Sequence, residues 1–199
     1  MAIKIINNGL NNTVNIPADL LSRGNGVIVL NGENNSISVA PSDFNFGGHF
    51  QLDGGASIQI GERINAPQLF VYAVQGAALK IGIDAGFSGL VRMLMHEAGN
   101  LTIGDGCLFA SDTDITISDM HSIIDLSTSQ RINPARDIVI EKRVWVGQRS
   151  MILKGAHIGE GSVIGAQSVV TGTIPAYCAA AGNPTRIIRE NITWNHKLL

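Results

Sequence analysis

Between Ile140 and Pro175 an aliphatic residue returns every six positions: Ile140, Val146, Ile152, Ile158, Ile164 and Val170. Four positions after each stands a small or apolar residue: Val144, Ser150, Ala156, Ser162, Ser168 and Ile174. Glycine follows the aliphatic directly at Gly147, Gly159 and Gly165. A period of six does not build an amphipathic helix, whose apolar stripe needs residues three and four apart. It does build short strands joined by tight turns, with one aliphatic side chain per strand pointing inward. Three such strands close one triangular coil, so residues 18 apart should stack: Ile140 on Ile158, Val146 on Ile164 and Ile152 on Val170. Each stacked aliphatic contributes about 1.5–3 kcal/mol when fully buried. Glycine beside it suits a corner that needs unusual backbone angles or a close approach of two chains. A sandwich of short strands would show longer and less regular spacing.

Looser repeats precede this run. The segments beginning at Asn8 (NGLNNTVNI) and Asn31 (NGENNSISV) each pair an Asn-rich turn with alternating apolar residues, Val14 and Ile16 in one, Ile37 and Val39 in the other. That is a turn-then-strand unit, read as an irregular early coil. Ala18–Gly24 is read as a short helical insertion. From Phe50 to Asp119, Ile60-Gly61, Ile81-Gly82 and Ile103-Gly104 recur at spacings of 21 and 22, as the basic 18 with a few residues bulged at a corner. LFVYAV and LVRMLM take equivalent places in successive repeats. The expected fold is therefore an all-β solenoid with one continuous core.

The strict sixes resume at Ile103, Phe109 and Ile115, and the next position in phase is His121. Residues 122–137 carry no sixfold phase and contain Asn133-Pro134, so a loop of 16 residues is ejected there. Loops this long in a tight coil are usually functional or disordered. His121 stands at its mouth, an imidazole where an inward aliphatic is expected. Asp119 lies two residues earlier and would share a face with His121 on a strand, where it could orient the ring. Asn183-Pro184 reads as a helix start, with Ile187, Ile188 and Trp194 packing a C-terminal helical cap over residues 181–199 against a solenoid of residues 1–180.

Composition narrows the class. The 199 residues carry 45% hydrophobic and 15% charged residues with a net charge of −2, which argues against nucleic acid or an acidic membrane as the main partner. No apolar run approaches the roughly 20 residues of a membrane span. The N-terminus lacks the apolar core of a signal peptide. Cys107 and Cys178 form neither a CxxC nor a disulfide framework, as in a reduced cytoplasmic protein. His49, His96, His157 and His196 are scattered outside metal-ligand spacing, and His157 should face outward. No metal is expected.

The IGxxSV sixes, with VWVG before and AAGNPTRII after, resemble the left-handed β-helix, hexapeptide-repeat acyltransferases over roughly Leu101 to Trp194. Within that superfamily SDMHSI, the Arg-Ile-Asn loop, DIVIEKRVWVGQ and AGNPTRIIRENITW resemble the bacterial capsular-polysaccharide O-acetyltransferases, including those acting on polysialic acid. The resemblance implies a left-handed coil, a homotrimer with active sites between subunits, and direct acetyl transfer from acetyl-CoA to a carbohydrate hydroxyl. His121 would be the general base, since imidazole is suited to proton transfer near neutrality. Trp145 would line the acetyl or acceptor site through its ring or its backbone N–H. Gln148 and Ala166 would flank the pantetheine arm, with Thr171 and Gly172 beyond them. Many relatives have Lys where this chain has Gly172, which puts one phosphate contact in doubt. Arg186 and Arg189 match the family's terminal cations, and Lys154 is a further candidate for the coenzyme's phosphates. An antibiotic or nucleotide-sugar acceptor, and a non-catalytic scaffold, are the competing readings.

Overall fold

The computed structural model describes residues 2–198 as a three-walled parallel β-helix. The first wall is an eight-stranded parallel sheet that runs from Ile3–Asn8 to Val169–Val170. The second is also eight-stranded, from Thr13–Asn15 to Thr173–Ile174. The third wall has six strands and begins only at Gly86–Phe87. Before that point the third side is closed by irregular chain and by a helix, Ala18–Arg23, whose Leu20 is fully buried.

The stacking expected from the period of 18 is the observed register: Ile140 pairs with Ile158, Val146 with Ile164, and Ile152 with Val170. The longer repeats also align, Ile60 with Ile81 and Ile81 with Ile103. So do Val14 with Ile37, and Leu69 with Val91. These aliphatics form one continuous buried column down the prism, except for the partly buried Val14 packed against it.

The corner residues explain the rest of the sixfold pattern. Ser150, Ser162 and Ser168 are buried, and each hydroxyl bonds to backbone of the next coil. Ser162 donates to the Pro175 carbonyl at 2.8 Å and accepts the Cys178 N–H at 3.1 Å. A buried hydroxyl is tolerated only with such partners. Gly147 and Gly159 are required by closeness. A Cβ on Gly159 would lie 2.4 Å from the Ala176 nitrogen, and one on Gly147 would lie 2.5 Å from the Ala166 nitrogen. Cys107 and Cys178 are both free and buried, and burial pushes the Cys107 thiol up to about 12.

The C-terminal helix expected from Asn183-Pro184 does not form. That peptide is cis, and Arg186–Arg189 is instead a strand antiparallel to Ala179–Ala181. The expected boundary at residue 180 therefore cuts a strand, and the terminal segment adds to the third wall. The open edge of the last coil offers unpaired backbone groups, and pairing with them outweighs the local capping signal. Thr185 fixes the approach, its N–H and hydroxyl both donating to the Val169 carbonyl at 3.0 and 2.6 Å.

Candidate active site

The coil breaks at the corner where the first wall turns to the second. Strand Thr113–Thr116 of the first wall ends there, Ile117 and Ser118 are the last buried residues before the break, and the coil resumes in the second wall at Ile138–Ile140. Between them the chain makes a small hairpin, with Ile124 bridged antiparallel to Arg131 and the Ile132 N–H on the Ile123 carbonyl at 2.9 Å. Asp125 closes its tip by accepting bonds from the backbone and hydroxyls of Ser127 and Thr128, which hold its carboxyl at about 2.

His121 does not point into the core; it is exposed on the outgoing limb of this hairpin. The sixfold phase ends at the buried Ile115, so the next position in phase, His121, belongs to the loop. Asp119 is likewise not on a strand, and its carboxylate is engaged by other side chains. It accepts the Lys154 ammonium at 2.5 Å and the Asn133 amide at 2.8 Å, which hold its pKa below the ordinary carboxylate range. Asp119 acts on His121 through backbone: its carbonyl accepts the His121 N–H at 2.7 Å, while the Asn133 amide donates to the His121 carbonyl at 2.8 Å.

A second clamp secures the other limb. Arg131 makes a two-pronged pair with Glu97 at 2.6 and 2.7 Å, and Ser118 donates to the same carboxylate. Arg131 first, and Ser118 second, hold the Glu97 carboxyl at about 2. Sequence reasoning misses Glu97, and it marks Arg131 and Asn133 only as part of the Arg-Ile-Asn motif of the resemblance, with no role for either side chain. The one cue in the sequence is that Arg131 and Asn133 alternate, as two residues anchored on one side would.

The other expected site residues divide between separate edges. Trp145 is on the third wall, paired in register with Leu108 and Val163 and about 40% exposed. Its backbone N–H donates to the Ser162 carbonyl at 2.9 Å, so only the indole remains for a ligand. Gln148 and Ala166 stack at the corner between third and first walls. The Gln167 N–H reaches the Gln148 carbonyl at 2.8 Å, and the Gln148 amide donates to Ser111 at 2.9 Å. Lys154, Thr171 and Gly172 lie at the His121 corner. Lys154 is committed there to Asp119 and to the Asn133 and Pro134 carbonyls, so it anchors the loop base instead of standing ready for a phosphate. Gly172 faces open space, with nothing within 4 Å of a Cβ built on it. Arg186 and Arg189 are exposed on the edge strand of the third wall. His157 faces outward as expected and pairs with Glu141 at 2.8 Å.

In a triangular prism the third wall lies opposite the corner shared by the first two. His121 and Trp145 of one chain therefore stand on opposite sides of the same prism. The loop cannot swing round to join them, because Glu97, Lys154 and the Asp137–Asn100 contact pin it at its own corner. Among the described residues no helix is long and apolar enough to cross a membrane, and no group of three or more His, Cys, Asp or Glu could hold a metal ion.

Residues 137–172 match the family model described as bacterial transferase hexapeptide (six repeats). The polysialic acid O-acetyltransferase of Neisseria meningitidis is 30% identical over 96% of this chain and 88% of its own length. That of Escherichia coli O1:K1 is 38% identical over 62% of this chain, a match spanning only 40% of the relative's length. Among solved structures, the polySia-specific acetyltransferase NeuO superimposes with a TM-score of 0.83 at 30% identity, covering 98% of this chain and 83% of that one. The polysialic acid O-acetyltransferase OatWY gives 0.86 at 26%, covering 98% and 92%. The architecture is that of the left-handed β-helix acetyltransferases. Within them, the chain belongs to the polysialic acid O-acetyltransferase family.

Proposed function

We propose that the protein transfers an acetyl group from acetyl-CoA to a hydroxyl of an acidic capsular polysaccharide, polysialic acid being the acceptor its relatives are named for. His121 takes the proton of the attacking hydroxyl as the oxygen bonds to the thioester carbonyl. The carbon–sulfur bond then breaks, and the imidazolium returns its proton to the departing thiolate. The products are an acetyl ester and free coenzyme A. Acid–base help of this kind is worth about 10²–10⁴-fold.

The placement of His121 and Trp145 on opposite sides of one prism carries the reading that the working unit is an oligomer, a trimer as the coil architecture suggests. His121 of one protomer would meet the third wall and Trp145 of its neighbour. The hairpin is suited to reaching across: it is rigidly clamped, yet Ile123, Ile124, Leu126 and Ile132 are exposed, Leu126 almost completely. Exposed apolar side chains on an ordered hairpin favour burial against another chain. The donor would lie along the edge formed by Gln148 and Ala166, its phosphates toward Arg186 and Arg189, since guanidinium matches phosphate geometry. Thr171 lies on the opposite edge, toward the neighbour.

The deciding experiment follows free thiol released from acetyl-CoA with oligosialic acid as acceptor. His121→Ala should fall by about 10²–10⁴-fold with the fold unchanged. Transfer at the wild-type rate would remove His121 from the chemistry. A glycan panel in which only a neutral sugar triggers thiol release would remove the acidic acceptor.

A further inference from the structure

The outward row of the third wall runs Gly86, Leu108, Trp145, Val163 and Ala179. Trp145 is the single large ring in it. Neighbours as small as Leu108 and Val163 do not fix an indole that stands about 40% exposed. The restraint comes from outside the sheet. After strand Arg186–Arg189 the chain turns back along the wall, the Ile192 N–H donating to the Tyr177 carbonyl at 2.9 Å. It then sets Trp194 beside Trp145, ring centroids 6.0 Å apart and tilted by 49°.

Trp194 is itself held at every side. Its indole N–H donates to the Arg143 carbonyl at 2.6 Å, and the Arg143 guanidinium donates back to the Trp194 carbonyl at 3.3 Å. The His196 ring stands edge-on to it at 4.7 Å. Only 9% of Trp194 remains exposed. A residue that served only to cover the end of the solenoid would lie over the last coil, at Ala180 and Ile174. Trp194 lies two coils further in, since Trp145 stacks on Val163 and Val163 on Ala179.

We infer that Trp194 is a positioning residue: it fixes the indole of Trp145 in the orientation that receives the acceptor sugar. The C-terminal segment is then a wall of the active site. This rests on the proposed function and takes the exposed indole of Trp145 as the part that meets the acceptor, its backbone N–H being already bonded to Ser162. A pyranose stacking on an aromatic face needs that face presented at one angle, and ordering the ring before binding removes a cost of ordering it on binding.

The chain has two tryptophans, Trp145 and Trp194, so any substitution of Trp194 leaves Trp145 as the sole reporter. Trp194→Phe keeps a ring against Trp145 and loses the bond to Arg143; Trp194→Leu loses both. In the Leu variant, Trp145 should show faster depolarisation and greater acrylamide quenching than in the Phe variant. Its KM for oligosialic acid should rise about three- to tenfold, the worth of an aromatic pair, with KM for acetyl-CoA unchanged. Trp194→Phe should restore most of both. Equal Trp145 mobility in the two variants would overturn the inference. So would a rise in both KM values together with loss of thermal stability, which marks a purely structural role. Trp145→Ala separates the two levels. If it leaves acceptor kinetics intact, the reading of Trp145 fails and this inference with it. If it raises the acceptor KM and Trp194→Leu does not, the inference alone fails.

Discussion

Glu97→Gln removes the charge that holds the hairpin carrying His121 and keeps the shape of the side chain. The Arg131 guanidinium and the Ser118 hydroxyl bring the Glu97 carboxyl from an ordinary 4.5 to about 2. A displacement of that size would be worth about 3 kcal/mol if the pair were shielded. The side chains of Glu97 and Arg131 are 26% and 33% exposed, so solvent screening reduces it to about 1–2 kcal/mol. That energy belongs to the hairpin and not to the barrel, because among the described residues the Arg131 guanidinium bonds only to Glu97 and to Asn133 at the loop base. Loss of about 1–2 kcal/mol should raise the open fraction of the hairpin by about 5–30-fold. The urea midpoint of the whole molecule should barely move.

Hydrogen exchange at the Ile132 amide, bonded to Ile123 across the hairpin, reads the opening directly. Trypsin cleavage after Arg131 reads it independently. The pH dependence has a definite sign. A carboxyl whose pKa is lowered by folding stabilises fully above its unfolded value and loses that contribution as pH falls toward its folded value. Protection of the wild-type hairpin should therefore decline from about pH 5 toward pH 2. The Gln variant should start lower and decline less, the remaining slope coming from Asp119 and Asp125, whose pKa values are also lowered. If exchange at Ile132 changed less than twofold in Glu97→Gln, the clamp would not be what orders this loop. Equal acceleration in the barrel strands would show that the pair stabilises the whole fold.

Gly159→Ala should lower stability by about 1–3 kcal/mol, since its Cβ would meet backbone of the next coil at 2.4 Å. A urea midpoint within error of wild type, at unchanged m-value, would refute that steric account. Gly172→Lys should fold normally, because a Cβ there meets nothing within 4 Å. It should lower the KM for acetyl-CoA about two- to fivefold, as for one exposed ion pair, and an equal drop with a phosphate-free pantetheine thioester would refute a phosphate contact.

What was legible in the sequence followed from stacking. One aliphatic per six residues dictates a strand, three strands dictate a coil, and the register of Ile140 on Ile158 follows without further information. The same rule could not describe the places where stacking ends. At Asn183-Pro184 a local helix signal met an open sheet edge a few ångströms away, and only the folded chain reveals that edge. At His121 the sixfold phase marks where the coil stops, but the side chain beyond the stop is governed by loop anchors. Glu97 lies 24 residues before His121 and Lys154 lies 33 after it, on neighbouring coils at the same corner. Those anchors carry no periodic signature, since each is an exception in its own repeat. A solenoid makes its regular positions interchangeable, so chemistry has to be written in the exceptions. Their meaning depends on which coils lie above and below. Under the proposed function Trp145 and His121 would meet only across a second prism, because the wall that presents one is turned away from the corner that presents the other.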